Sequence, residues 1–187
     1  MADETRATIE TRSGEELIVR RLRADDGSAL QAFNAGLSER SRYFFLPHSY
    51  TDSSVARRVE RAEQGLDLCY VVLAGGRIVG YFFLWNCRER VPLLGIGVTD
   101  DYQGQGLGRQ MMEILIADAR EADRDGIELT TRLDNDRAFS LYQKCGFRYI
   151  GDVENVDGNG DVVVERGMFL PLKRGARPMD GPHKPPD

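Results

Sequence analysis

The sequence predicts an α+β domain in which a mixed sheet carries helices on both faces. Two observations support this prediction. Apolar segments of strand length are interleaved with amphipathic segments of helix length, in the order β-α-α-β-β-β-α-β-α-β-β. The 187 residues are 41% apolar, which is enough to bury one core. We expect a domain over residues 15–174, between a flexible arm of residues 1–14 and a disordered, proline-rich tail of residues 175–187.

In the first half of the chain, capping residues and glycines set the limits of the predicted helices. The connector SRYFFLPHSY between the first two helices is rich in aromatic residues, so its side chains either enter the core or line a pocket. The predicted elements are a strand over Leu17–Leu22, a helix from Asp25 or Asp26 to about Leu37, and a helix from Asp52, Ser53 or Ser54 to Gly65.

The longest apolar run, from Cys69 to Trp85, predicts a β-hairpin. A membrane helix needs about 20 apolar residues, and this run is shorter and is interrupted by Gly75, Gly76 and Arg77. Two strands joined by a Gly-Gly turn fit the pattern. We therefore expect no membrane-spanning segment.

The second half of the chain predicts two strand-to-helix units followed by a strand pair. The predicted elements are a strand over Leu93–Val98, a helix over roughly Leu107–Asp123, a strand over Ile127–Leu133, a short helix from Asp134 or Asn135 to Cys145, and two strands flanking the turn DGNGD.

The composition indicates which kinds of binding partner and which cellular compartment to expect. The chain has 25 basic and 30 acidic residues, a net charge of −5, which argues against a nucleic-acid partner. Three cysteines without a C-x-x-C pair predict neither a disulfide framework nor a zinc site, and we expect no metal. The N-terminal stretch is polar and lacks a signal-peptide core, so we expect a reduced, cytoplasmic protein.

Three glycines, Gly104, Gly106 and Gly108, stand directly ahead of a helix in the segment VTDDYQGQGLGRQMMEIL. The N–H groups of a first helical turn have no intrahelical partners, and glycines let them converge on an anion, so the loop predicts a phosphate site. A dinucleotide fingerprint would need a glycine in place of Arg109, and no P-loop Gly-Lys-Ser/Thr follows. The alternative is a glycine-rich helix cap without a ligand.

Two further glycines, Gly95 and Gly97, share one face of the strand LLGIGV. Glycines on a strand face cost stability unless another group packs on the exposed backbone. We interpret both sets of glycines as main chain that is opened to one extended, phosphate-bearing ligand.

Two motifs resemble those of the GNAT N-acetyltransferase superfamily. The loop QGQGLG over Gln103–Gly108 matches its Q/R-x-x-G-x-G/A signature, and the block NDRAFSLYQKCGF over Asn135–Phe147 is similar to its N-x-x-A-x-x-x-Y-x-x-x-G-F block. The element order resembles the family fold over roughly residues 16–172. The resemblance implies a mostly antiparallel sheet of about seven strands with four helices on both faces, splayed between strands 4 and 5, and acetyl-coenzyme A (acetyl-CoA) as cosubstrate.

The resemblance also implies which residues hold acetyl-CoA between the two splayed strands. The backbone of Ile96, Gly97 and Val98 would pair with the pantetheine arm, and the Ile96 amide would stabilise the oxyanion. Asn135 would contact the pantetheine or the phosphates. The pyrophosphate would be held by the loop residues Gln103, Gly104, Gln105, Gly106, Leu107, Gly108 and Arg109.

Tyr142 is the candidate general acid that the same resemblance implies, since its hydroxyl could protonate the leaving thiolate. The alternative is that Tyr142 only packs among neighbouring aromatic residues. No general base is carried over from the family, because Val91, Pro92 and Thr130 stand where relatives have a glutamate. Glu89 is the nominee, with a solvated loop carboxylate as the alternative.

The acceptor site is expected at the first two helices and their connector, with Tyr43 and His48 as candidate contacts. The predicted function is an N-acetyltransferase that acts by direct transfer on a small-molecule or peptide amine, and the net charge favours a cationic acceptor. The alternatives are a non-catalytic acyl-CoA-binding or regulatory module on the same fold and a nucleotide-binding protein of another fold. The identity of the acceptor and the formation of a homodimer are left open.

Overall fold

A computed structural model describes residues 5–179, 184 and 185, and this part of the chain contains eight strands and five α-helices. The strands are β1 (Thr5–Glu10), β2 (Glu16–Arg21), β3 (Leu68–Ala74), β4 (Arg77–Trp85), β5 (Leu93–Val98), β6 (Gly126–Arg132), β7 (Arg148–Val156) and β8 (Val162–Pro171). The helices are α1 (Gly27–Gly36), α2 (Glu39–Phe44), α3 (Asp52–Glu63), α4 (Leu107–Glu121) and α5 (Asp136–Lys144).

The strands form one sheet in the order β1-β2-β3-β4-β5-β6-β8-β7, in which only β5 and β6 are parallel neighbours. These two strands pair at Leu93 and Glu128, where the Glu128 N–H donates to the Pro92 carbonyl at 3.0 Å. Beyond this pair β5 and β6 diverge towards their C-terminal ends, and we call the gap between them the opening. The predicted fold class and its splay are confirmed, with one strand and one helix more than predicted.

Helices cover both faces of the sheet because the central strands are apolar on both sides. On β4, Phe82 and Leu84 belong to the core that α4 covers. Tyr81, Phe83 and Trp85 alternate with them and belong to the core that α1 and α3 cover. Each of these side chains is almost fully buried, which stabilises the fold by about 1.5–3 kcal/mol per large apolar side chain. The predicted hairpin over Cys69–Trp85 is confirmed as β3 and β4.

The prediction of a flexible N-terminal arm is wrong for Thr5–Glu10, which form β1 at the edge of the sheet, antiparallel to β2. Ile9 is buried, but most other β1 side chains face solvent. An edge strand needs only one partly apolar face, so the polar composition of this segment concealed its strand.

The aromatic connector contains the short helix α2, which the sequence did not indicate. Ser38 caps it, since its hydroxyl accepts a hydrogen bond from the Ser41 N–H. Asp100, which follows β5, accepts hydrogen bonds from the Ser38 N–H (3.0 Å) and from the hydroxyls of Ser38 (2.6 Å) and Ser41 (2.7 Å). These bonds, chiefly those from Ser38, hold the pKa of Asp100 below its usual range. The helix is thereby fixed to the segment ahead of the glycines.

The prediction of a disordered tail is only partly open to comparison with the structure. Residues 175–179 form no helix or strand, yet the Met179 N–H donates to the Glu128 carboxylate and Lys184 Nζ donates to the Val156 carbonyl. Pro185 is buried. These parts of the tail therefore contact the domain, whereas residues 180–183, 186 and 187 lie outside the described residues.

Candidate active site

The glycine loop, residues 103–109, connects β5 to α4 and presents a row of backbone donors. Gly104 and Gly106 have φ values of +81° and +85°, a left-handed conformation that other residues rarely adopt. Among the described residues, the backbone N–H groups from Gly104 to Arg109 have no acceptor. Donors of this kind at a helix N-terminus, where the helix dipole adds positive charge, fit a diphosphate.

Two arginines that the sequence did not single out flank the glycine loop. The Arg137 guanidinium lies 3.4 Å from the position that a Cβ on Gly104 would occupy, and the Arg12 side chain lies 3.7 Å from the corresponding position on Gly106. The Arg12 N–H also donates to the Gln105 carbonyl at 3.0 Å. Arg137 belongs to the Asn135 block and could have been nominated from it. Arg12 lies in the segment predicted to be a flexible arm, so nothing in the sequence pointed to it.

Other contacts of the loop residues, made through side chains and close packing, fix the position of the loop in the fold. The Gln103 side chain donates to the Val98 carbonyl (3.1 Å) and to the Ser41 hydroxyl (2.9 Å), which ties the loop to β5 and α2. Leu107 is buried in the core beneath α4. A Cβ on Gly108 would meet the Leu141 side chain at 3.1 Å, so this glycine lets α4 and α5 approach closely.

Alternate residues of β5 direct their backbone N–H and C=O groups towards the opening. Because the Pro92 carbonyl faces β6, the alternation of a strand turns the N–H and C=O groups of Ile96 and Val98 to the same side. Those of Gly97 turn towards β4, where Gly97 pairs with Tyr81. The backbone groups of Ile96 are therefore available for the predicted pairing with an extended ligand, whereas those of Gly97 are used in the pairing with β4.

The interpretation of Gly95 and Gly97 as backbone open to a ligand is wrong. A Cβ on Gly95 would lie 2.2 Å from the Phe83 ring, and one on Gly97 would lie 2.5 Å from the Phe45 ring. Both glycines are required because aromatic side chains of the protein itself pack on that face of β5. Phe45, at the end of α2, thus covers the strand beside the opening.

We expect Gly97→Ala to destabilise the fold, because the added methyl group would overlap the Phe45 ring. Overpacking of this kind costs about 1–3 kcal/mol. Guanidinium chloride unfolding would measure the difference, with Gly36→Ala as the matched control, since a Cβ on Gly36 in α1 would meet nothing within 4 Å. Equal stability of the Gly97 and Gly36 variants would contradict the packing of Phe45 on β5.

Tyr142 lies on α5 with its ring buried against the core, 6.0 Å from the Phe147 ring. No hydrogen-bond partner of its hydroxyl occurs in the part of the chain that the structure describes. Burial raises the pKa of Tyr142 to about 12, with smaller contributions from Cys145 and Glu165. The phenol therefore keeps its proton at neutral pH and has that proton available for a ligand.

Asn135 caps α5, since its side-chain oxygen accepts a hydrogen bond from the Ala138 N–H at 3.3 Å. The predicted cap is thus confirmed at Asn135. The side-chain NH₂ group of Asn135 stays available for the ligand contact that the sequence suggested.

The comparisons with known proteins identify this combination of loop and block. A model of the acetyltransferase (GNAT) family matches residues 33–147. The chain belongs to the GNAT family. The resemblance seen in the sequence is confirmed, and the match contains the glycine loop, the opening and Tyr142.

Named GNAT relatives match over part of their length. An uncharacterized N-acetyltransferase, YvbK, of Bacillus subtilis is 36% identical over 81 residues, 43% of this chain and 52% of the relative. The N-alpha-acetyltransferase RimI of Mycobacterium tuberculosis is 35% identical over 82 residues, 42% of this chain and 50% of the relative. The matched segment thus spans about half the length of these two curated relatives.

A solved GNAT structure shares the fold over most of the chain. It is a putative acetyltransferase, yncA, from Salmonella typhimurium, determined with its cofactor acetyl-CoA. The two structures superpose with a TM-score of 0.68 at 19% sequence identity, and the superposition covers 88% of this chain and 99% of the Salmonella typhimurium chain.

In this GNAT fold α2 crosses the opening on the face that α1 and α3 cover. At the C-terminal end of α2, the Phe45 ring rests on Gly97 of β5. Two residues earlier, the Tyr43 ring lies 4.9 Å from the Arg132 guanidinium of β6, which donates to the Tyr43 carbonyl at 3.3 Å. The last turn of α2 therefore contacts both strands that border the opening.

The predicted acceptor contacts occupy different environments. Tyr43 is 46% exposed and its hydroxyl donates to Asp134, so it lies at the mouth of the opening. His48 is fully buried between Tyr50 and Trp85, with Nδ1 2.6 Å from the Ser49 carbonyl, which leaves it no surface for an acceptor.

The nominated base, Glu89, is exposed on the loop between β4 and β5. This loop precedes the closed end of the splay, at Leu93, whereas Tyr142 and the glycine loop border the open part. The structure does not bring Glu89 together with them.

A group of polar side chains borders the opening beside α2, and we call it the acceptor-face cluster. Its charged members are partly buried: the side chain of Arg132 is 12% exposed, that of Asp157 9% and that of Glu165 14%. No local sequence pattern indicates this cluster, because its members meet only when β7 and β8 pair beside β6. The cluster comprises Thr130, Arg132, Asn155, Asp157 and Glu165.

A cavity of about 620 Å³ lies at the opposite end of α4 and shares no residue with the glycine loop. Its lining includes Tyr70, Cys87, Asp118 and Arg124. Tyr70 donates a hydrogen bond to Asp118, and burial raises its pKa to about 12. This cavity is therefore not part of the opening.

No group of three or more His, Cys, Asp or Glu side chains among the described residues is arranged to hold a metal ion. No helix in the same residues is long and apolar enough to cross a membrane.

Proposed function

We propose that the protein transfers an acetyl group from acetyl-CoA to a primary amine. The observation that carries this proposal is the row of backbone N–H groups from Gly104 to Arg109, which have no acceptor among the described residues, beside an opening that Tyr142 borders. The names of relatives agree with it, since RimI is an N-alpha-acetyltransferase and the Salmonella typhimurium structure contains acetyl-CoA.

The glycine loop would hold the diphosphate of acetyl-CoA through its N–H groups. Arg12 and Arg137 add positive charge on either side of the loop, where it favours the phosphates. The pantetheine arm would continue along β5 and pair with the backbone of Ile96 and Val98, as an added strand does. The Ile96 N–H would then donate to the thioester oxygen as negative charge develops on it.

Tyr142 would complete the reaction as the general acid. The amine nitrogen attacks the thioester carbon, the C–N bond forms, and the C–S bond breaks with its electron pair going to sulfur. The Tyr142 hydroxyl donates its proton to that thiolate and recovers one from the new amide nitrogen. Its high pKa keeps the hydroxyl protonated, and so able to act, throughout the neutral range.

Direct transfer fits the nucleophiles that the chain offers. Burial is the main cause that raises the pKa of Cys145, which lies near Tyr142, so its thiol is not activated. Burial likewise raises the pKa of Cys69 to about 12. His48 is fully buried and His183 lies outside the described residues, so the structure supports no Cys-His or Ser-His pair at the opening. The acetyl group would therefore pass to the amine without an acetyl-enzyme.

The proposal is tested by measuring CoA release from acetyl-CoA against a panel of amines, including amino acids, polyamines, aminoglycosides and short peptides with free N-termini. We expect CoA release that depends on one class of amine, with one amide formed for each CoA. Acetyl-CoA binding without release for any amine would favour the rival, a non-catalytic acyl-CoA-binding module. Neither binding nor release would overturn both.

A further inference from the structure

We propose that Glu165 of β8 is the general base that takes a proton from the acceptor amine, which enters over Thr130 beside the opening. This inference rests on the proposed acetyl transfer. It assigns the one catalytic role for which the sequence offered no convincing residue.

An amine acceptor makes a base necessary at neutral pH. An alkyl amine has a pKa of about 10.4, so only about one molecule in 10³ carries the free electron pair that attacks a thioester at pH 7. A carboxylate close to the amine can remove the proton at the site of reaction. The question is which carboxylate the fold places beside the opening.

The strand register places Glu165 on the face of the sheet where an acceptor would approach. Ile127 and Leu129 of β6 point into the core beneath α4, so Thr130 and Arg132, which alternate with them, point to the opposite face. Glu165 is the direct partner of Arg132 across the antiparallel pair of β6 and β8. Directly paired residues share a face, so Glu165 projects beside Thr130 and Arg132.

One amide connects the Glu165 carboxylate to the border of the opening. The Asn155 Nδ2 group donates to Glu165 Oε2 at 2.9 Å and lies 3.4 Å from Thr130 Oγ1. The structure thus places a carboxylate from a neighbouring strand within one side chain of Thr130, on the strand that borders the opening.

The titratable groups around Glu165 lie on β6, on the β7–β8 loop and on α5. Arg132 of β6 lies 3.9 Å away, but its guanidinium binds more closely to Asp157 of the β7–β8 loop, at 2.9 Å. Tyr142 of α5 lies on the other side of the opening, close enough that the Glu165 charge contributes to its raised pKa after burial and Cys145. Among the described residues, Glu165 Oε1 therefore has no closer charged partner than Arg132 at 3.9 Å, and this oxygen can accept a proton from an amine.

Two other described parts of this face are already occupied. Over β4 and β5 it is filled by stacked aromatic rings, with Phe83 and Trp85 4.1 Å apart and Phe45 on Gly97. Glu128, a carboxylate on this face of β6, is 7% exposed, lies at the closed end of the splay and accepts a hydrogen bond from the Met179 N–H.

The proton balance of the step is complete without a further reactant. The ammonium group gives one proton to Glu165, and the neutral amine attacks the acetyl carbon. The CoA thiolate leaves and takes the Tyr142 proton, and the amide nitrogen returns a proton to Tyr142. Glu165 then releases its proton to water, so the net products are the amide, CoA and one proton.

The test compares the pH dependence of kcat/KM for the native protein, Glu165→Gln and Glu165→Asp, using the amine that the CoA-release panel identifies. Glu165→Gln should lower kcat/KM by about 10²-fold at pH 7. The deficit should shrink towards pH 10, because the amine there loses its proton without help. Glu165→Asp should keep the native form of the profile at a reduced rate, since it retains a carboxylate.

Two controls separate the outcomes. Glu154→Gln removes an exposed carboxylate from the opposite face of the same strand pair and should leave the profile unchanged. The Kd for acetyl-CoA and the Tm of each variant report cofactor binding and folding. A deficit in Glu165→Gln that is equal at every pH, or no deficit, would overturn the assignment of Glu165. Absence of transfer by the native protein would overturn the proposed function itself.

Discussion

Tyr142→Phe should slow acetyl transfer by about 10²–10⁴-fold while leaving the affinity for acetyl-CoA unchanged. The substitution removes one hydroxyl and keeps the ring that packs against Phe147, so the fold loses little. The hydroxyl has no partner among the described residues, so its removal leaves no buried group unsatisfied there. A loss in kcat without a loss in binding is therefore specific to a role in the reaction.

The pH dependence adds a second measurement of Tyr142. Since burial raises its pKa to about 12, the native protein should not lose activity through deprotonation of this phenol between pH 7 and 10. Tyr149→Phe is the matched control, because Tyr149 is 50% exposed on β7 and donates its hydroxyl to Asp152. If kcat for Tyr142→Phe equals that of the Tyr149 variant, Tyr142 is a packing residue only.

Gly106→Val should raise the Kd for acetyl-CoA at least about 100-fold. Gly106 has a φ of +85°, and a β-branched residue held there costs about 1–3 kcal/mol, so the loop should relax and turn its N–H groups away from the diphosphate. Space is not the obstacle, since a Cβ at this position would meet only Arg12, at 3.7 Å. A higher Kd would thus show that acetyl-CoA binding depends on the orientation of the backbone N–H groups of the loop. Isothermal titration calorimetry measures it directly.

Gly76→Val controls for the strain alone. Gly76 has a φ of +83° in the β3–β4 turn, with nothing within 4 Å of an added Cβ. It should cost similar stability without changing the Kd. Equal cofactor affinities for the two variants would mean that the glycine loop does not hold the diphosphate.

The elements around the candidate site that the sequence predicted correctly are determined by residues close together in the chain. Positive-φ glycines, the Asn135 cap and the apolar stripe of α4 each act within a few residues, so β5, the glycine loop, α4 and α5 were found close to their observed limits. The parts that were missed depend on distant partners. Gly95 and Gly97 could not be assigned correctly without knowing that Phe83 and Phe45 pack on them.

The same reason explains why the sequence did not single out Glu165, the proposed base, or Arg12. Glu165 comes to lie beside β6 only through the pairing of β8 with β6 and through its hydrogen bond with Asn155 of β7. Arg12 meets the glycine loop because β1 and β2 bring their connecting turn beside it, a contact across about half the chain. Sequence periodicity indicates which face of a strand is buried, but not which segment of the chain will cover it.

The short helix α2 bears on how this protein could be altered. Because Phe45 rests on β5 and Tyr43 on Arg132 of β6, the C-terminal end of one helix forms a wall shared by the proposed groove for the acyl donor and the proposed mouth for the amine. A substitution in α2 that changes the shape of the proposed amine site will also shift β5 and β6, the strands that border the proposed acetyl-CoA groove. Acceptor preference and donor affinity should consequently change together when this helix is engineered, and independent adjustment would have to start from β7 and β8.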